Sequence, residues 1–343
     1  MAFTNIDDPT IFFTPILYTG TGSSQAITGV GFRPDWVWAK QRNEARAHSL
    51  YDVVRGVQKE LKAEGSDAES TASTFLTAFG SDGFTMGGSD NVNGSSKNYV
   101  AWCWNAGGSA SSNGNGSITS SVSVNTTAGF SVGTYNANAT AGATVGHGLG
   151  AAPEWLLVKV RNNTNNWGVF HTSMGATKAM YLDQTSSETT DGWLNNTAPG
   201  ANVFTLSGGN YGNASGYEVV FYAFTGKQGY SKFGQYVGNG NADGPFVYTG
   251  FKPAFVMIKP QSYSNSWGLF DNKRPGFNVT KNRLEADNNS AENTNLDYFD
   301  FLSNGFKVRT SNSHPNNSGG TIIYAAFAES PFVNSNGIPN NAR

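Results

Sequence analysis

The chain has 343 residues, 22 of them basic and 24 acidic, with no long run of either sign; lacking a clustered positive face, it is not built to bind nucleic acid. Forty-two glycines, abundant asparagine and only 13% charged residues point to short strands joined by tight turns, because Gly and Asn supply the left-handed positions that turns require. The single cysteine, Cys103, excludes an intrachain disulfide framework, and no apolar run approaches the roughly eighteen residues of a membrane-spanning helix.

In chain order, residues 1–14 carry Asp7 and Asp8 and no basic residue, the reverse of a secretory leader. The stretch "FRPDWVWAK" follows at 32–40 and returns as "AAPEWLLVK" at 151–159 and "FKPAFVMIK" at 251–259. Aligning these on Lys40, Lys159 and Lys259 superposes Pro34, Pro153 and Pro253, and then Trp36, Trp155 and Phe255. Twelve residues beyond each lysine stand Asp52, His171 and Asp271, and about seventeen before each proline stand Tyr18, Tyr135 and Tyr236. Similarity over such a span is an internal repeat. It divides the chain into a short leading segment (1–14), repeat one (15–106), a Gly/Ser/Asn-rich linker (107–128), repeat two (129–227), repeat three (228–331) and an exposed tail (332–343).

Each repeat reads as many short strands separated by turn residues, so the expected fold is all-β, three tandem β-sandwiches of jelly-roll or concanavalin-like type. Within the repeated stretch, Val37 and Ala39 share one face of a strand and Trp36 and Trp38 the other, with the same alternation in the second and third copies. Two apolar faces make this strand a buried spine, with the closing lysine expected to run its stem along the core and keep its ammonium in water. The helix formers at 56–64 compete with this reading in repeat one, but Pro275 and Gly276 oppose a helix at the matching place in repeat three. The long 107–128 linker, read as flexible or extended with room for one edge strand, predicts that repeat one is loosely attached and that repeats two and three pack together.

The sequence offers little for chemistry. His147 and His171 have no zinc-site spacing, and "DNVNG" at 90–94 starts like a calcium loop but places Val92 where an oxygen ligand belongs. No cofactor is expected, although the Asp- and Asn-rich loops leave room for a structural calcium. Asp52 and Asp271, with Glu69, Glu188 and Glu292, recur from copy to copy. Acids kept in each copy read as scaffold, since an active site is normally built once, so no catalytic residue is assigned. Trp167, Trp267, Tyr211, Tyr217 and Tyr263 lie beside Asn-rich loops, a pairing of aromatic faces and amides that suits sugars; the repeated Trp167 and Trp267 also fit a core role.

The phrases "NIDDPTIFF", "LYTGTGSSQAITGVGFRPDWVWAKQR", "YVAWCWNAGG", "GYSKFGQYVGNGNADGPFVYTGFKPAFVMIK" and "IIYAAFAESPF" resemble tandem-repeat structural proteins of tailed bacteriophages, especially marine ones. The resemblance covers nearly the whole chain. It implies a non-enzymatic virion component made in the host cytoplasm, most simply a tail fibre or appendage whose loops meet host-surface polysaccharide. Implied partners are other virion proteins and further copies of the chain, with no membrane insertion; residues 1–14 would then be an anchor docking by strand addition. A capsid decoration protein and a polysaccharide-degrading enzyme are the alternatives.

Overall fold

The computed structural model describes residues 4–209 and 211–339. The chain is all-β. Repeat one contains β1 (Phe13–Thr19), β2 (Gln25–Thr28), β3 (Trp36–Gln41), β4 (His48–Asp52), β5 (Lys59–Lys62), β6 (Ser70–Thr71), β7 (Leu76–Gly80), β8 (Gly83–Met86) and β9 (Asn98–Trp104). Then come β10 (Ser111–Asn113) and β11 (Ser120–Asn125), followed by β12 (Phe130–Asn136), β13 (Ala143–Gly146), β14 (Trp155–Val160), β15 (Gly168–His171), β16 (Lys178–Tyr181), β17 (Thr189–Thr190), β18 (Val203–Leu206) and β19 (Glu218–Phe224). Repeat three supplies β20 (Ser231–Val237), β21 (Phe246–Tyr248), β22 (Phe251–Pro260), β23 (Gly268–Asp271), β24 (Leu284–Glu285), β25 (Phe299–Leu302), β26 (Gly305–Val308) and β27 (Thr321–Pro331).

One strand order recurs in the main sheets: β1-β9-β3-β4-β5, β12-β19-β14-β15-β16 and β20-β27-β22-β23-β24. The register recurs with it, since Trp36, Trp155 and Phe255 on the spines face Asp52, His171 and Asp271 on one side and Trp104, Phe224 and Phe327 on the other. A small sheet (β2-β8-β7, β13-β18 or β21-β26-β25) accompanies each main sheet.

The two apolar faces of the spine have different partners. Val37 and Ala39 join Ile27, Phe84 and Met86 in an outer core between main and small sheet, and Leu156 with Val158 and Val256 with Ile258 do the same in their repeats. The opposite faces, with Trp36, Trp38, Trp155, Leu157, Phe255 and Met257, meet in one shared central core. Trp36 stacks on Tyr222 at 4.5 Å between ring centroids, Phe224 meets Phe327 at 5.6 Å, and Trp104 meets Phe255 at 6.0 Å. Each main sheet thus touches both others, and the repeats close around one axis.

This closure corrects the expectation that repeat one is loosely attached: its four tryptophans Trp36, Trp38, Trp102 and Trp104 lie in the common core. It also corrects the linker. Residues 111–125 form the hairpin β10–β11, which extends the main sheet of repeat two beyond β12. Gly107, which leads into this hairpin, has φ +93, and a Cβ there would lie 2.2 Å from the Val124 carbonyl oxygen, so only glycine fits. The expected anchor is likewise built in: β1 starts at Phe13, Ile6 enters the central core, and Thr4 Oγ1 donates to Gln228 O at 2.7 Å. The tail is tied to it, as Ser335 N donates to Asp7 Oδ1 at 2.7 Å; residues 1–3 and 340–343 lie outside the described residues. The stretch at 56–64 forms β5 rather than a helix, and among the described residues the two short α-helices, α1 (Asp90–Asn93) and α2 (Ser313–Asn316), lie elsewhere.

Candidate binding site

The recurring acids sit in the seams between repeats. Asp52 Oδ2 accepts from Arg55 Nε (2.5 Å) within repeat one and from the Tyr222 hydroxyl (2.7 Å) of repeat two. Arg55 continues to Glu69 (3.1 Å), and Glu69 receives Nε and Nη2 of Arg161 at 3.0 Å each. Repeat three makes the same set against repeat one: Asp271 Oδ2 accepts from Arg274 Nε (2.7 Å) and Trp102 Nε1 (3.0 Å), while Glu292 accepts from Arg274 (3.0 Å) and from Arg42 Nη2 (2.9 Å). Burial works against the Glu292 carboxylate, but Arg274 and Arg42 prevail and hold it below the usual range. Repeat two approaches repeat three with weaker groups, His171 Nε2 at 3.2 Å from Tyr324 O and Gln261 Nε2 donating to Glu188 at 2.7 Å. The backbone repeats the theme, with Glu69 N, Glu188 N and Glu292 N donating to the carbonyls of Arg161, Gln261 and Arg42.

These seams relocate several sequence-level candidates. Lys40, Lys159 and Lys259 are fully buried, not in water, and burial pushes each ammonium down to about 8. Lys159 Nζ reaches Ser66 O (2.8 Å) and Lys259 Nζ reaches Gln184 O (3.0 Å), each in the preceding repeat. Trp167 and Trp267 are buried too and donate to Lys62 O and Tyr181 O across the seams at 2.8 and 2.9 Å. They are seam residues, which removes them as sugar-contact candidates. His147 and His171 do not meet: His147 bonds Gly200 O at 3.0 Å, and His171 faces repeat three. Among the described residues no cluster of His, Cys, Asp or Glu forms a metal cage.

The three tyrosines that precede the spines close a latch. Tyr18, Tyr135 and Tyr236 donate to the carbonyls of Val92, Gly212 and Pro315, at 2.6, 2.9 and 2.8 Å. The next residue in each case is a buried asparagine, Asn93, Asn213 or Asn316. Its Nδ2 spans two carbonyls of neighbouring loops, and its Oδ1 accepts from Thr21, Asn138 or Asn239 N. Sequence reading passed over these residues although "NGSSKNY", "NASGYEV" and "NNSGGTI" carry a visible Asn-x-Ser. The side chain of Asn93 is thereby committed to backbone, which removes it from the calcium-like loop.

Of the remaining aromatics, Tyr211 and Tyr217 pack on the outer core of repeat two and Tyr263 on that of repeat three. The Tyr263 hydroxyl donates to Ser313 O at 2.7 Å, and that of Tyr211 pairs with the Tyr181 hydroxyl. The five candidates do not converge. A different aromatic is presented to solvent. From the spine partner to the next strand, repeat three needs Asp271 to Leu284 where repeat one needs only Asp52 to Leu61, and the extra residues carry Pro275, Gly276 and Phe277. Phe277 is 80% exposed. It stands at the mouth of a cleft of about 570 Å³ with Lys252, Asn272, Lys273, Thr280 and Glu329. There Glu329 Oε2 holds Lys252 Nζ at 2.8 Å and Asn272 Nδ2 at 3.0 Å, while the buried Asn272 Oδ1 has no donor among the described residues.

A repeat-built, all-β body with an aromatic-lipped cleft where its threefold plan is interrupted is the class of protein that these features define. The family model for a domain of unknown function, DUF7483, matches residues 8–331, and the chain belongs to that family. No curated protein and no solved structure matches it.

Proposed function

We propose that this chain is a non-enzymatic structural protein of a tailed-phage virion, a tail-fibre or appendage component that attaches to host-surface polysaccharide through the Phe277 cleft. The observation that carries the reading is the contrast between repeated and unrepeated residues. The repeated acids, bases and tryptophans lie in seams, whereas the insertion that breaks the repeat exposes its ring beside an unfilled acceptor. An aromatic face suits the C–H face of a sugar, and Asn272 Oδ1 suits a hydroxyl donor. Lys252 and Lys273 against the single carboxylate of Glu329 favour an acidic sugar over a neutral one. Glycoside hydrolysis needs two facing carboxyl groups, and Glu329, the cleft's acid, is tied to Lys252 and Asn272. The sequence resemblance to tailed-phage structural proteins supports the virion setting.

The test is polysaccharide binding by the full chain and by Phe277→Ala, with acidic and neutral host-surface polysaccharides, together with immunogold labelling of particles. The expected result is retention of acidic polysaccharide without release of sugar, about tenfold weaker after the substitution, with gold on the tail. Equal binding by both proteins would remove the cleft, gold on the shell would favour a decoration protein, and released sugar would make the protein an enzyme.

A further inference from the structure

The first strands of the three repeats, β1, β12 and β20, are equivalent: Phe13, Phe130 and Ser231 pair with Trp104, Phe224 and Phe327. Their free edges are handled in three ways. The β12 edge is covered by β11, and Ile118 bridges onward to Val145 in β13, so that segment seals the flank of the second sandwich with Ile118, Val122 and Val124 in its core. On β1, Pro15 stands where β12 has Val132 and β20 has Phe233, and a proline without an N–H blunts an edge. Among the described residues no strand or proline covers β20, which ends its sheet, and its one charged side chain, Lys232, folds onto β21 with Nζ donating to Tyr248 O at 2.8 Å.

The backbone phase of β20 is known. Ser231 N donates to Lys227 O at 2.9 Å and Ser231 O accepts from Lys227 N at 3.1 Å, both away from β27. By strand alternation Phe233, Gln235 and Val237 turn their N–H and C=O groups the same way. Beside this row, Val237, Phe246 and Tyr248 are 56%, 47% and 53% exposed, on the flank corresponding to the one that segment 111–125 covers in repeat two. A cleft of about 350 Å³ lined by Glu154, Lys232 and Tyr248 opens at the start of the strand. The chain that follows β27 lines this cleft with Phe332 and Val333, where Phe332 N donates to Gly250 O, and then turns to Asp7 through Ser335.

We infer that the β20–β21 flank of repeat three is a docking edge for an extended strand of a separate protein. That strand adds antiparallel to β20 and alternates small polar with β-branched residues, as Ser121–Val124 does on β12. Main-chain hydrogen bonds give the affinity, and the β-branched side chains cover the exposed apolar row.

A synthetic peptide of residues 117–126, SITSSVSVNT, serves as probe, with hydrogen exchange followed in the full chain. The expected result is about tenfold or greater slowing at the Phe233 and Gln235 amides, none at β1, and loss of the effect in Gln235→Pro. Val237→Lys, an edge charge that leaves the backbone intact, is the second variant and is expected to weaken the same protection without lowering the melting temperature. No slowing, or slowing that survives Gln235→Pro, would overturn the inference. So would protection that rises with protein concentration in the absence of peptide, which would assign the edge to a second copy.

Discussion

The seam between repeats three and one and the seam between repeats two and three do the same work with different chemistry. The first buries Asp271, Arg274, Glu292 and Arg42 in one hydrogen-bonded network. At the matching places the second has His171, Met174, Glu188 and Gln261, with a buried neutral ring, a thioether and one amide–carboxylate bond. Both close, so the charges are not what holds the repeats together. The shared aromatic core does that, and a buried ion network is costly to assemble and more costly to leave incomplete.

The largest expected effect therefore comes from breaking a network, not from lacking one. Arg274→Ala leaves Asp271 and Glu292 buried without the guanidinium they share and is expected to cost about 3–5 kcal/mol, read from urea unfolding. Asp271→His combined with Arg274→Met copies the chemistry of the other seam and should cost less than half as much. If the double variant were as unstable as Arg274→Ala, the charges would be holding the seam after all.

Next in size is a pH effect, carried in the neutral seam by His171 and in the charged seam by the buried His48, whose imidazole burial holds well below its usual range. Burial lowers the His171 imidazole to about 4, opposed only in part by its bond to Tyr324 O. Unfolded, it would bind a proton near its ordinary value of about 6.5. Between these values the unfolded chain holds the extra proton, so the stabilisation is complete above about 6.5 and is lost as pH falls toward 4, by up to about 3 kcal/mol. His314, lowered by burial to about 3, adds to the same slope. Unfolding midpoints across pH 4–7 should fall with acid, and His171→Gln should flatten the curve. A curve unchanged by that substitution would mean that His171 is solvated.

How much of this was legible follows from where each signal resides. The spine announced its two apolar faces because alternation is local, and Val37 and Trp36 point where the pattern says. That three tryptophan-rich faces turn toward one another is a fact about distant partners, which no nine-residue window contains. The lysines were misplaced for the same reason. Lys159 stands one residue short of the end of β14, and Ser66 of another repeat roofs it over. Segment 107–128 was read from its Gly and Asn content, which outweighed the Ser-Val alternation of 120–125 that actually sets its structure. For Trp167 and Trp267 the recurrence was a better guide than the Asn-rich loops beside them: both lie in the central core and their indoles donate across seams. Phe277 escaped notice since it matches nothing in the other copies, although a length difference between repeats was there to be measured.

The smallest effect sharpens the ranking of the seams. Gln261 stands where Arg161 and Arg42 stand, makes one side-chain bond to Glu188, and leaves its buried Oε1 without a donor. Gln261→Ala removes a single neutral–charged bond together with that unmet acceptor, so the net cost should be only about 1 kcal/mol. Arg161→Ala, which strips Glu69 of two charge-assisted bonds, should cost about twice that or more. Gln261→Arg should move the other way, restoring the two-pronged grip on the glutamate and raising the urea midpoint slightly. Should Gln261→Ala prove as damaging as Arg161→Ala, the seam between repeats two and three would depend on its polar contact as much as the seam between repeats one and two depends on its ions, and the aromatic core would lose its place as the common cause of closure.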